Sequence, residues 1–225
     1  MRIAVIGAGN IGSTLVRRLA GAGHDVRVTN SRSPETLSEL AAETEATALP
    51  LDLAVQDADV AIVSIPVKAV KNLAVRLAAT TVVVDTGNYV PNMRDGKIAE
   101  LDAGMIESRW TEAQLGHPVI KAFNSINAAS LRERSASAGA PDRIALPVAG
   151  DDPEARTIVM RLVEDTGFDA VDAGGLDDSW RQQPGTPAYT TNLPRAELIA
   201  ALAAAEPGQT VAWRDRMRGP MPASG

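Results

Sequence analysis

The sequence predicts an α/β protein: a Rossmann-type, doubly wound and mostly parallel sheet with a smaller C-terminal α/β extension. Three observations carry this reading. The chain opens with a short apolar run rich in β-branched residues, Ile3-Ala4-Val5-Ile6, which reads as a buried parallel strand. Gly7, Gly9 and Gly12 follow at G-x-G-x-x-G spacing, and Leu15, Val16 and Leu19 then recur at helical spacing. From there on, short apolar runs alternate with helical patterns, as a parallel sheet with crossover helices requires.

In the first unit, Gly21 and Gly23 end the helix, and His24 to Thr29 resumes the strand pattern through Val26 and Val28. The three motif glycines serve separate ends. Gly7 turns the chain off the strand, Gly9 leaves the backbone open to a pyrophosphate, and Gly12 lets the helix approach the sheet. The helix N-terminus adds free N–H groups and the positive end of its dipole. An NAD site places Asp or Glu about 20 residues past such a motif, to bind the ribose 2′-hydroxyl. Here the corner reads Thr29-Asn30-Ser31-Arg32, with no carboxylate to repel a 2′-phosphate and two side chains able to donate to one. NADP is the expected dinucleotide.

Pro34 opens a helix capped by Ser33, with Leu37, Leu40 and Ala41 facing inward, and Thr47 to Leu49 reads as a third strand. Asp59 to Ile65 is another buried strand, so Ser64, Ile65 and Pro66 lie at the carboxyl end where doubly wound sheets bind ligands. A proline that simply stops a strand explains Pro66 as well. Val67 to Ala79 is predicted as a helix, with Val70, Leu73, Ala74 and Leu77 on its inner face. Thr81 to Val84 is a strand running into Asp85-Thr86-Gly87-Asn88-Tyr89. Pro91 to Leu101 reads as irregular, Ser108 to Leu115 as a short helix, and Pro118 to Phe123 as a strand ending in Asn124-Ser125-Ile126-Asn127. Ser64, Asn88 and Asn124 thus close three strand ends with polar groups, a candidate nicotinamide pocket.

Residues 1–127 read as the dinucleotide-binding domain and 128–225 as a smaller domain completing the acceptor cleft. The second part holds a strand (Ile144 to Ala149), a helix entered through Asp151 or Asp152 and Pro153, and a strand (Phe168 to Asp172) that extends the sheet. Leu176 to Thr191 (LDDSWRQQPGTPAYTT) is less ordinary. Trp180 and Arg181 in it suit either a pocket for a flat anionic ring or a surface loop pinned by one buried Trp. Pro194 to Glu206 is an Ala-rich helix, and Arg214 to Gly225 reads as a partly disordered tail with solvated arginines.

The composition narrows the function classes. The net charge of −6 argues against nucleic acid or an anionic membrane as partner, and the absence of cysteine removes disulfides, thiolate metal sites and thiol nucleophiles. With only two histidines, no metal site is expected. No apolar run is long enough to cross a membrane, and the first is cut by glycine too early for a signal peptide; a cytoplasmic protein acting on a small molecule is expected. A homodimer is the quaternary expectation.

Through VIGAGNIGS, the TNSR corner, VSIP, DTGN and KAFNSINA to VAGDD and VDAGG, the chain resembles the NADP oxidoreductases that depend on coenzyme F420, a deazaflavin. It is also similar to the cytosolic NADPH-binding domain of membrane metalloreductases, and its last two segments occur in pyrroline-carboxylate reductases too. The resemblance implies that Gly7, Gly9, Asn10, Ile11 and Gly12 hold the pyrophosphate. It places Asn30, Ser31 and Arg32 at the 2′-phosphate, and Ser64, Ile65, Pro66, Asn88 and Asn124 around the nicotinamide. Coenzyme F420 or a flavin would be the co-substrate. The chain departs from the family in three places. It has G-A-G-N-I-G where the family commonly has G-G-T-G-N-x-G, it has Thr36 near the position of a frequent Lys, and its W-R-Q-Q-P-G-T-P passage is its own.

The expected activity is hydride transfer between NADPH and a deazaflavin or flavin. That chemistry asks for stacking and orientation, and no catalytic acid is assigned. Reduction of a small carbonyl or imine is the alternative and wants a proton donor, for which Tyr189, Lys121 and Lys68 are candidates. A non-catalytic NADP(H)-sensing module is the third reading.

Overall fold

The computed structural model describes residues 1–217. Six parallel strands form the main sheet: β1 (Arg2–Ile6), β2 (Asp25–Thr29), β3 (Thr47–Ala48), β4 (Val60–Val63), β5 (Val82–Asp85) and β6 (Val119–Lys121), in the order β3-β2-β1-β4-β5-β6. This is the doubly wound topology expected from the sequence. The chain winds outward from β1 in both directions, so a crevice opens at the carboxyl ends of β1 and β4.

The apolar run of β1 is continuous because both of its faces are covered. Ile3 and Val5 belong to one buried cluster with Leu15, Leu19, Leu146 and Phe168. Ala4 and Ile6 point the other way, into a cluster with Val63, Val83, Tyr89 and Trp110. The first cluster contains residues from both halves of the chain, which therefore share one core. In helix α1 (Asn10–Gly21), Leu15 and Leu19 are fully buried, each contributing about 1.5–3 kcal/mol.

Along the first half, α2 (Ser38–Thr44), α3 (Leu51–Val55), α4 (Val67–Val70), α5 (Ala99–Asp102), α6 (Glu107–Leu115) and α7 (Ala128–Glu133) connect the strands or follow them. Pro34–Leu37 forms a 3₁₀ turn ahead of α2, and Ser33 makes no side-chain cap there. Pro91 to Leu101 is more ordered than expected, with a π turn over Pro91–Asp95 followed by α5.

The expected helix over Val67 to Ala79 is corrected: it stops after one turn at Val70. The residues beyond run without regular helix, and Leu73, Val75 and Leu77 are half-buried between exposed neighbours. That is a period of two. The sequence satisfies both patterns, since Leu73 and Leu77 sit on a helical face as well as on an extended one. The observed form, held by tight turns at Ala74 and Val75, half-buries Val75 in place of Ala74.

The second half adds β7 (Ala145–Val148), α8 (Pro153–Asp165) and β8 (Asp169–Asp172). Asp152 is the residue that caps α8, accepting from the Glu154 and Ala155 N–H groups. β7 and β8 form their own parallel pair, tied to the main sheet by an antiparallel bridge between Lys121 and Ala149. Arg109 on α6 clamps these parts together, 2.8 Å from Asp151 and 2.6 Å from Asp177. Its pKa is raised by those carboxylates, chiefly Asp177, and Arg109 holds Asp151 below the ordinary carboxylate value.

Leu176–Gln182 forms a 3₁₀ helix, followed by α9 (Arg195–Ala203) and α10 (Gln209–Arg216). The passage is not a loop hung on one tryptophan: Trp180 is half-buried, while Ser179, Gln182 and Gln183 are buried. The expectation of a tail beginning at Arg214 is also corrected, because Arg214 lies on α10 and is 4% exposed. Residues 218–225 of that expected tail lie outside the described residues.

Candidate dinucleotide site

The turn between β1 and α1 packs against the end of β4. Gly7 has φ +107, and its N–H donates to Thr29 O at 2.8 Å. A Cβ on Gly7 would lie 2.3 Å from Ser64 O, and one on Gly12 would lie 1.9 Å from Gly7 O. Both glycines are therefore demanded by the protein's own backbone. Gly9 differs: its φ is −73, which any residue adopts, and a Cβ there would meet nothing within 4 Å. Folding does not require glycine at position 9. Open space in front of the backbone does, and that is the cradle a pyrophosphate needs.

α1 begins at Asn10 with Gly9 as its N-cap. No side chain caps its first N–H groups, and no acidic residue sits in its first turn. The unsatisfied donors and the positive end of the dipole face the same open space, which suits an anion.

A cleft of about 740 Å³ begins at this turn. Among the expected residues, Gly7, Gly9, Asn30 and Ser31 line it, together with Arg32, Ser64, Ile65 and Pro66. Asn10, Ile11, Gly12, Asn88 and Asn124 lie outside that lining. Asn10 is exposed at the start of α1, and Ile11 packs on the core. Leu51, Asn72 and Leu73 also line the cleft and were not anticipated, because the expected helix over Val67 to Ala79 hid the turns that carry two of them. The alternation of Leu73, Val75 and Leu77 was the available signal.

At the end of β2, Asn30 Oδ1 accepts from the Arg32 N–H at 2.8 Å, and Asn30 Nδ2 donates to Thr36 Oγ1 at 3.0 Å. Asn30 thus folds the corner that presents Ser31 and Arg32 to the cleft. Arg32 forms no salt bridge among the described residues, so its guanidinium is unspent. A dinucleotide with a 2′-phosphate fits these residues.

The ends of β5 and β6 are tightly built. Lys121 Nζ lies 3.1 Å from Asp85 Oδ2 and also donates to Gly87 O. Asp85 accepts from Ser108 Oγ at 2.8 Å and from the Gly87 N–H at 2.8 Å. Lys121 is 0% exposed, so this candidate proton donor is committed to structure. Asn124 Nδ2 donates to Asn88 Oδ1 at 3.1 Å and to Gln182 O at 2.8 Å, which spends both of its hydrogens. Asn88 is half-buried and retains one N–H and one lone pair. Tyr189 is half-buried, edge-on to Trp213 with ring centroids 6.3 Å apart. Burial, seconded by the Glu107 carboxylate, pushes its pKa up, so the phenol keeps its proton.

A family profile described as NADP oxidoreductase, coenzyme F420-dependent, matches residues 2–89. Over 71 residues the chain is 45% identical to the Escherichia coli (strain K12) protein YjhV, a stretch covering 32% of this chain and 52% of YjhV. The chain thus matches about half the length of that curated relative. Among solved structures, the hypothetical protein SMa0349 from Sinorhizobium meliloti is 30% identical, with a TM-score of 0.76 over 87% of this chain and 96% of that one. A protein from Arthrobacter sp. FB24 described as an F420-dependent NADP reductase is 21% identical, with a TM-score of 0.62 over 80% of this chain and 87% of that one. At that identity the likeness concerns the fold. No helix among the described residues is long and apolar enough to cross a membrane.

Proposed function

The chain belongs to the coenzyme F420-dependent NADP oxidoreductase family, and we propose that it transfers hydride between NADPH and a deazaflavin or flavin acceptor. The observation that carries this reading is the open backbone at Gly9 beside an unspent Arg32, with Ser31 at the same strand end. The turn and the start of α1 bind the pyrophosphate, and Ser31 and Arg32 bind the 2′-phosphate. Asn88 orients the nicotinamide at the end of β5, and Ser64 to Pro66 floor the pocket at the end of β4. Residues 1–127 hold the dinucleotide, and residues 128–225 complete the acceptor side. The nicotinamide itself supplies the hydride when bound. The protein's part is to align two ring systems and exclude water, which calls for no general acid.

One observation favours a second reading, reduction of a small carbonyl or imine. Tyr189 holds its proton in a half-buried position, as a donor to such a substrate would. The deciding experiment is NADPH absorbance decay with purified protein and oxidised coenzyme F420, with FMN and NADH alongside. Rapid decay with the deazaflavin, faster from NADPH than from NADH, is the expected result. NADPH binding without decay would sink the deazaflavin reading, and turnover of a carbonyl or imine that Tyr189→Phe abolishes would replace it.

A further inference from the structure

We infer that Gln182, from a passage outside the family's motifs, is a positioning residue that fixes the sense in which Asn88 presents its amide to the nicotinamide carboxamide. The inference rests on the NADPH reading above.

Gln182 is wholly buried. Its Nε2 donates to Asn124 Oδ1 at 2.9 Å, and its backbone oxygen accepts from Asn124 Nδ2 at 2.8 Å. Two opposed bonds from one residue leave the Asn124 amide a single orientation: oxygen toward Gln182 Nε2, nitrogen toward Gln182 O and Asn88. A flip would set N–H against N–H and oxygen against oxygen. Asn124 passes that sense on. Its Nδ2 donates to Asn88 Oδ1, and the Asn88 Nδ2 donates back to Asn124 O at 2.8 Å. The unspent N–H and lone pair of Asn88 therefore have fixed places, and a carboxamide carries the complementary pair.

The backbone on either side is held as firmly. Gly87 is bound by Asp85 and Lys121, and the Tyr89 N–H donates to Glu107 Oε2 at 3.1 Å. Phe123, just before Asn124, has φ +60. Thr190 has φ +56 and donates its N–H to Ser125 O at 2.7 Å. Bulky and β-branched residues occupy that region only when the surroundings impose it. Gln182 Oε1 has no hydrogen-bond partner. Methionine at this position would keep most of the volume, remove the orphaned acceptor, and delete the donor to Asn124 together with its longer bond to Pro147 O at 3.4 Å.

The test is ligand binding to the full chain, read by titration calorimetry and by the fluorescence of bound NADPH. The ligands are NADPH, its 3-acetylpyridine analogue, and 2′-phospho-ADP-ribose, which has no nicotinamide. Gln182→Met should weaken NADPH binding roughly fivefold to tenfold, the worth of one hydrogen bond. The loss should be smaller for the acetyl analogue, which has no N–H to give Asn88, and 2′-phospho-ADP-ribose should bind as before. Gln182→Leu, which likewise lacks the donor, should repeat the pattern if the methionine variant does not fold. In an Asn88→Ala background, Gln182→Met should add little. Equal losses on all three ligands, or none on NADPH, would overturn the inference while leaving the NADPH reading intact. A wild-type protein that bound neither NADPH nor 2′-phospho-ADP-ribose would overturn both.

Discussion

Arg214 Nη2 lies 2.6 Å from Glu107 Oε1, and both side chains are buried. Arg214 also donates to Leu101 O at 3.1 Å and stands 4.7 Å over the Tyr89 ring. Through Glu107, which accepts from the Tyr89 N–H, helix α10 braces the loop that carries Asn88. Helix α10 thus supports the end of β5.

Removing one member of such a pair strands the other without a counter-charge. Arg214→Leu should cost about 3–5 kcal/mol of unfolding free energy in urea. The sign of its pH dependence follows from Glu107. Burial already raises that carboxyl above its ordinary 4.5, against the pull of Lys121 and Arg214, and loss of Arg214 raises it further. In the window above 4.5 and below the raised folded value, the folded state holds a proton that the unfolded state has released. Stability therefore falls as pH rises through that window. The deficit of the variant should be largest near neutrality and shrink below about pH 4.5. A deficit independent of pH would mean that lost packing, not the stranded carboxylate, is responsible.

Asp85 and Lys121 pose the same question at the ends of β5 and β6. Lys121→Met should destabilise by about 3–5 kcal/mol, and adding Asp85→Asn should recover most of it, since the neutral amide keeps its oxygen on the Gly87 N–H and turns its NH2 to the Ser108 hydroxyl oxygen, which rotates to accept. A double-mutant cycle measured by urea unfolding checks this; additive losses would show that the two groups are not energetically coupled.

The motif glycines separate into two kinds. Gly12→Ala drives a methyl into Gly7 O and should cost roughly 1–3 kcal/mol or more. Gly9→Ala meets no protein atom and should cost no more than about 1 kcal/mol, the loss of a favoured N-cap residue. The same methyl fills the pyrophosphate's place, and NADPH affinity should drop about tenfold or more. Thermal melts and calorimetry on the two variants test both halves. Intact NADPH binding in Gly9→Ala would place the phosphates elsewhere.

Arg32 and Ser31 should choose the dinucleotide. Arg32→Ala should weaken NADPH by about 10–100-fold, the worth of charge-assisted hydrogen bonds to one phosphate, and leave NADH unchanged. Ser31→Ala should act in the same direction and less strongly. Parallel losses for both dinucleotides would show that the corner shapes the cleft without reading the phosphate.

The first strand, the glycine turn and α1, together with the Asn30–Arg32 corner, were legible from the residues alone. The reason is locality. Within some thirty residues, a doubly buried strand, a turn that excludes side chains and an uncapped helix start are each written in adjacent positions, whatever the rest of the chain does. The parallel order also followed, because apolar runs alternating with helices leave few other windings. The path after Val70 came from the folded chain: its sequence serves a period of two as well as a helical one, and the segment leaves the helix through tight turns that half-bury Leu73, Val75 and Leu77. The tertiary fold alone also joined Glu107 to Arg214 and Asn124 to Gln182, partners 107 and 58 residues apart. Arg214, one of three closely spaced arginines, reads as solvated, and nothing local distinguishes Gln182 in its proline-rich passage. Burial gives them partners, and a polar group without water must take whatever partner the fold brings to it.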